Sequence, residues 1–367
     1  MPVVIKVGSN VATDEQGGLR DSVLESIVAQ AAELHKSGTD VVLVTSGAIS
    51  RGIQLLGLGG RPTAMAELQA SSAVGQGQIY RHYDHLFASH DVKTAQILLT
   101  AADFSARASY VNAKQTLRKL LDWHVVPVIN ENDTTATDEI TFGDNDFLAA
   151  QVSILLKARR LVLATDIDSL YTSDPNIDSS ATPVHRVNDF AELDGLSIGD
   201  SATAIGSGGM RSKVVAAEIA TAGGIEVVVC SGKKEGAVGR AAAGDEGEGT
   251  HFTPHKQPQS SFKLWIRYAK EARGSLAVDD GAARALRDQG TSLLPVGIAE
   301  VSGEFTSGDA VGIYAVGDER QPIGKGIVNY SADELRRIKG LKSDAVQELM
   351  PHATDEAVHR DNLVMTD

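Results

Sequence analysis

Five short runs, at residues 3–7, 41–45, 125–130, 161–165 and 225–230, are almost continuous in Val, Ile and Leu. A strand with one face in water alternates apolar and polar side chains, so a run that is apolar nearly throughout fits a strand buried on both faces. Amphipathic stretches lie between the runs. Ser22, with Glu25 three residues on, has the pattern of a capping box, and Val23, Leu24, Ile27, Val28, Ala31 and Leu34 then recur at helical spacing until Gly38. Such alternation predicts an α/β fold: a mainly parallel open sheet sandwiched between helices, with ligands beyond the carboxyl ends of the strands. Polar and glycine-rich clusters stand at those ends: Gly8-Ser9-Asn10, Ser46-Gly47-Ala48, Glu131-Asn132-Asp133 and Asp166-Ile167-Asp168.

One such core does not account for 367 residues, because single cores stop growing at about 250–300 residues. From residue 232 to 261 large apolar side chains thin out in favour of Gly, Ala, Glu, Pro, Gln and Ser, which places a boundary near 260. Beyond it, apolar runs at 294–298, 310–316 and 326–330 alternate with glycine turns, and helical stretches fall near 281–289 and 331–338. A small β-barrel-like domain is expected there. The net charge of −14 argues against a large basic nucleic-acid face and against affinity for anionic membranes. No run reaches membrane-spanning length, and residues 2–6 are too short for a signal peptide, so a cytoplasmic setting is expected. Cys230 is the single cysteine, cannot pair within the chain, and is expected to be a buried strand thiol.

Several clusters carry possible chemistry. Lys6 ends the first run just before Val7-Gly8-Ser9, where its ammonium could meet phosphate oxygens, though a lysine at a strand end is commonly just solvated. Residues 206–213, Gly-Ser-Gly-Gly-Met-Arg-Ser-Lys, lead into a helical pattern and so into an anion-binding helix start, or equally a plain loop. They form neither a Walker A loop nor a complete dinucleotide fingerprint. Residues 130–133 (Asn-Glu-Asn-Asp) and 143–146 (Gly-Asp-Asn-Asp) bracket a loop and offer amides and carboxylates, a set suited to a zwitterion or, singly, to Asx turns and helix caps. Residues 165–175 begin where a buried run stops and could hold a nucleotide or form an Asp/Pro turn. No zinc-ligand spacing, nucleophile elbow or convincing His pairing with Ser or Cys is present.

Taken in order, IKVGSN (5–10), TSGAIS (45–50), VPVINENDTT (126–135), FGDNDFLAA (142–150), TDIDSLYTSDP (165–175) and GSGGMRSK (206–213) resemble the glutamate 5-kinase branch of the amino-acid kinase family. DDGAARAL (279–286), SLLPVGI (292–298) and RRIKG (336–340) resemble its C-terminal PUA extension. The resemblance implies a kinase domain at 1–258, a linker at 259–272, a β-rich PUA domain at 273–352 and a tail at 353–367. It implies ATP-dependent phosphorylation of the γ-carboxylate of L-glutamate, the first step of proline synthesis. Lys6 and Lys213 would flank the transferred phosphoryl group with Asp146 orienting them, while Gly8, Gly208 and Gly209 donate backbone N–H groups. Ser46, Asp133 and Asn145 would contact glutamate, helped by Asn130 and Asp144. Thr165, Asp166 and the stretch Ser207, Gly208, Gly209, Met210, Arg211, Ser212 and Lys213 would contact ATP.

No protein metal site is implied, Mg²⁺ arriving with the ATP phosphates and water. A homo-oligomer (dimer or tetramer), inhibition by proline and absence of membrane binding are further expectations from the family. RNA binding by the PUA domain is not expected, since residues 259–350 hold 12 Lys and Arg against 13 Asp and Glu. Competing readings are a family member acting on a carbamate, an acylated glutamate, aspartate or a nucleotide, or an RNA-binding protein with a scaffold kinase-like domain. Ser169 stands where relatives often have Gly, which predicts a strained turn if positive φ is needed. Thr141 replaces a basic residue of some relatives, and Ser207 and Ser212 replace threonines.

Overall fold

The computed structural model describes residues 1–135, 144–173, 175, 178, 180–193, 210–256, 261–264, 266–267, 272–318, 321–350 and 354–366. Two compact units meet in sequence at Gln259 and Ser260. The strands of the first are β1 (Val3–Val7), β2 (Val41–Val44), β3 (Lys93–Leu99), β4 (Val125–Glu131), β5 (Arg160–Thr165), β6 (Leu170–Tyr171), β7 (Pro183–Val184), β8 (Arg186–Val187), β9 (Glu226–Ser231) and β10 (Thr250–Phe252). Among the described residues β3-β4-β2-β1-β5-β9-β10-β8 is the order of an eight-stranded sheet. Its pairs are parallel except β9 with β10. The expected sheet is present, and β6 pairs with β7 outside it.

The chain runs from β1 outward through β2 to one edge, then returns to lay β5 on the other side of β1. The reversal creates a topological switch point between β1 and β5, the crevice where open α/β sheets bind ligands. Strand β3 escapes the sequence reading because it is an edge strand with exposed Lys93 and Gln96, so its pattern is mixed.

Helices α1 (Ser9–Ala12), α2 (Asp21–Lys36), α3 (Ala48–Leu56), α4 (Met65–Ala88), α5 (Ala101–Ser105), α6 (Arg107–Asp122), α7 (Asp144–Leu156), α8 (Met210–Ala222) and α9 (Ala237–Ala243) complete the unit. The expected capping box is absent: α2 starts at Asp21, its N-cap Arg20 makes no side-chain cap, and the Arg20 N–H instead bonds Ala12 O at 3.0 Å. Asp21 supplies negative charge in the first turn.

Residue parity assigns the sheet faces. Val3, Ile5 and Val7 pack with α2, α4 and α9 in one core, together with Val41, Leu43, Val162, Ala164, Val228 and the buried Cys230. Burial pushes the Cys230 thiol up to about 12, so it is an inert strand thiol, as expected. Val4 and Lys6 therefore face the opposite side, where α7 and α8 lie. A one-residue slip of β1 would turn Lys6 away from both helices.

Two glycines set the position of α4 against α3. A Cβ on Gly52 would fall 1.7 Å from Ser71 O, and one on Gly75 would fall 1.9 Å from Ala48 O. The helix backbones approach too closely for any side chain at either position.

The second unit contains α10 (Ser261–Leu264), β11 (Ala272–Val278), α11 (Asp280–Gln289), β12 (Ile298–Gly303), β13 (Ala310–Ala315), β14 (Gly324–Val328), α12 (Ala332–Ile338), α13 (Ser343–Leu349) and β15 (Val358–Met365). The five strands form a sheet of order β12-β11-β13-β14-β15 around a core that includes Leu276, Leu286, Val311, Ile313, Leu335 and Val358. The DDG motif begins α11, with Asp279 accepting from the Ala282 N–H at 2.7 Å as its N-cap. Pro295 converts the start of the 294–298 run into a single 3₁₀ turn, and the strand begins at Ile298.

Two sequence boundaries are corrected here. The stretch taken as a linker places Leu264 and Ile266 fully buried. The stretch taken as a tail contributes β15, whose Val358, Leu363 and Val364 are buried by pairing with β14. A register shift in that pairing breaks the period-2 signal around the polar His359-Arg360-Asp361-Asn362, hiding the strand.

Candidate active site

The carboxyl ends of β2, β1, β5 and β9 lie side by side, and the side chains that follow them converge. Asp146, in the first turn of α7, is fully buried. Its Oδ1 lies 2.6 Å from Lys6 Nζ, and its Oδ2 lies 3.3 Å from Lys213 Nζ and accepts from Ser212 Oγ at 2.8 Å. Both lysines are 4 % exposed. Burial alone would raise the Asp146 carboxyl, but the charges of Lys6 and Lys213 outweigh it and hold the group well below the usual carboxylate range. Burial, with the Lys213 charge, lowers Lys6 from the ordinary lysine value, and Asp146 opposes that shift. Two cations around one carboxylate leave a buried site with a net positive charge, suited to an anionic ligand.

Gly8 differs from expectation. Its N–H already bonds Ala164 O at 3.0 Å, closing β1 onto β5, so it is not a free donor. Its φ of −68° is open to any residue. What matters is space: a Cβ there would stand 3.3 Å from Ala164 O and 3.9 Å from Lys6 Nζ.

Next to Gly8, Asn10 Nδ2 donates to Asp166 Oδ2 at 3.0 Å, and Thr165 Oγ1 donates to Asp166 Oδ1 at 3.0 Å. Burial raises the Asp166 carboxyl, but these bonds outweigh it and hold the group below its ordinary value. The Gly232 N–H reaches Thr165 O at 2.7 Å, and exposed Lys233 adds positive charge facing Asp166. Asn10 and Lys233 are absent from the expected nucleotide set, although Asn10 stands in the Gly8-Ser9-Asn10 cluster.

Met210, Arg211, Ser212 and Lys213 form the first turn of α8. Ser207, Gly208 and Gly209, and also Thr141, lie outside the described residues. Ser169 is buried and is not among the non-glycine residues with positive φ, so the expected strain is absent.

On the other flank, Ser46 is buried just beyond β2, before Gly47, whose φ of 99° starts α3 in the left-handed region that favours glycine. Asn130 is the next-to-last residue of β4 and Asp133 follows the strand, both buried. Ser72 Oγ of α4 donates to Asp133 Oδ2 at 2.5 Å, and Asn130 Nδ2 donates to Gln76 Oε1 of the same helix. Burial pushes the Asp133 carboxyl above its ordinary value, opposed by the Ser72 bond and by the charge of Arg61. Asn130 Oδ1 and Asn145 Oδ1 are buried with no hydrogen-bond partner among the described residues. The Asp144 backbone opens α7, and its side chain lies outside the described residues.

Ser72, Gln76 and Arg61 were not singled out from sequence. A usable signal exists for the first two: they are polar side chains four residues apart on a helix stripe that otherwise buries Leu68, Ile79, Tyr83 and Phe87.

Residues 1–231 match the family model described as the amino acid kinase family, and residues 274–350 match that of the PUA domain. A glutamate 5-kinase of Synechococcus sp. (strain JA-3-3Ab) is 47 % identical over 367 residues, 100 % of this chain and 98 % of that protein. One of Caldanaerobacter subterraneus subsp. tengcongensis is 42 % identical over 366 residues, 100 % of this chain and 98 % of that protein. Among solved structures, UMP kinase from Bacillus anthracis aligns with a TM-score of 0.49 and 17 % identity, over 69 % of this chain and 97 % of that chain. The chain thus belongs to the amino acid kinase family, among the glutamate 5-kinases, with a PUA domain after its kinase unit.

Proposed function

We propose that this chain transfers the γ-phosphoryl group of ATP to the γ-carboxylate of L-glutamate, releasing ADP and γ-glutamyl phosphate, as the first step of proline synthesis. The observation that carries the proposal is the buried Lys6–Asp146–Lys213 set at the strand ends, together with the side-chain oxygens of Asn130 and Asn145, which are buried without a hydrogen-bond partner among the described residues. Named relatives over the full chain support the same reaction.

An ionised substrate carboxylate is already a nucleophile and needs no general base. The protein's task is alignment and neutralisation of charge on the phosphoryl group in flight. Lys6 and Lys213 stabilise that charge from two elements, β1 and α8, while Asp146 holds both ammonium groups in place. On the substrate side, Asp133, Asn130 and Asn145 receive the α-ammonium, and Ser46, between β2 and α3, also contacts glutamate. Thr165, Asp166 and the first turn of α8 take the nucleotide.

Mg²⁺ would be held chiefly by ATP phosphates and water. Both Asp146 oxygens are engaged by Lys6, Lys213 and Ser212. When bound, the ion supplies charge neutralisation at the phosphates. Proline inhibition, a homo-oligomer and a cytoplasmic location belong to the same proposal by family resemblance; no helix among the described residues is long and apolar enough to cross a membrane.

The test is trapping with hydroxylamine in the presence of ATP and Mg²⁺. γ-Glutamyl hydroxamate that depends on glutamate is the expected product. ADP release with aspartate, N-acetylglutamate or a nucleoside monophosphate in place of glutamate, and none with glutamate, would reject it.

A further inference from the structure

We infer that Ser72 and Gln76, one turn apart on α4, are positioning residues for the amino-acid substrate, acting through Asp133 and Asn130. The inference deepens the proposed glutamate kinase reading and rests on it. Serines within helices commonly bond back to the carbonyl four residues earlier. Ser71 does this, donating to Glu67 O at 2.7 Å. Ser72 instead reaches out of its helix to Asp133 Oδ2 at 2.5 Å, within the length range of a hydroxyl bonded to an ionised carboxylate. Both groups are buried, so the bond restrains the carboxylate rotamer through Oδ2 and does not use Oδ1.

Gln76 does the equivalent for Asn130. By accepting from Asn130 Nδ2 it turns Asn130 Oδ1 away from α4, and that oxygen is buried without a partner among the described residues. One face of α4 thereby presets two acceptors, and an ammonium group carries three donors to offer them. The helix itself is fixed by the close backbone approaches at Gly52 and Gly75. The positions of Asp133 and Asn130 are thus set from a helix that need not touch the substrate.

The test compares glutamate with glutarate, which has both carboxylates and no amino group. Ser72→Ala should raise the KM for glutamate about tenfold, the scale of losing a hydrogen bond to a charged group. It should leave kcat, the KM for ATP and the inhibition constant of glutarate within about twofold, and Ser72→Thr should restore glutamate binding. Gln76→Leu should behave like Ser72→Ala, and Gln76→Glu, which keeps the acceptor for Asn130, like the parent. The partly exposed Gln76 position carries the test even if Ser72→Ala does not fold. Equal weakening of glutamate and glutarate, or an unchanged glutamate KM, overturns the inference. The parent enzyme runs in the same assay: its failure to form hydroxamate removes the underlying reading, whereas an active parent with unmoved variants removes only the role of α4.

Discussion

Asp146 stays ionised because two lysines face it, and both lysines can be buried because Asp146 faces them. The three charges are therefore one device, and removing any one has a distinct effect. Lys6→Met or Lys213→Met should lower kcat on the order of 10²–10³-fold, the scale of losing one charge-stabilising donor, in a steady-state assay of ADP release. Asp146→Asn should also destabilise the fold, by about 3–5 kcal/mol in urea unfolding, since it leaves two buried ammonium groups with no countercharge.

A second cluster, at the opposite ends of the strands, makes a pH prediction. Glu226 accepts from His251 Nδ1 at 3.1 Å and from Arg160, and these bonds, the His251 bond first, hold its carboxyl down to about 2 from an ordinary 4.5. A depressed folded-state value stabilises the protein above pH 4.5, and that contribution is lost as the pH falls from 4.5 towards about 2. Melting temperatures across this window should fall less steeply for Glu226→Gln than for the parent. Of these residues, Lys6, Lys213 and Asp146 were legible in the sequence through their motifs. Ser72 and Gln76 were not, because a polar residue on a helix stripe shows no partner until the fold supplies one.

Among the elements, the buried parallel strands announced themselves because full burial demands apolar side chains at almost every position. The edge strand β3 and the last strand β15 did not, since exposure in one and a register shift in the other dilute the pattern. Helix α4 is the element on which the substrate side of the site depends. Gly52→Ala should force α3 and α4 apart, because the new Cβ would fall 1.7 Å from Ser71 O. The expected cost is about 1–3 kcal/mol in denaturant unfolding, as for other overpacked contacts. Because Ser71 adjoins Ser72, the same variant should raise the KM for glutamate more than that for ATP.

Among the described residues each unit buries a hydrophobic core of its own, and the site residues belong to the first unit. A chain ending at Gln259 should retain a cooperative thermal transition and glutamate-dependent hydroxamate formation, measured side by side with the full chain. Loss of both would assign the second unit a structural part in the first.

By itself the sequence determined the α/β class, and it pointed to the strand ends as the place of a site and to a change of composition near 260. Each of these follows from local periodicity or composition. Tertiary structure alone decided that the Gly8 N–H is spent on Ala164, that β15 completes the second sheet, and that Ser72 meets Asp133 across a separation of 61 residues. Periodicity records that a side chain is buried, while its partner depends on packing between elements distant in the chain.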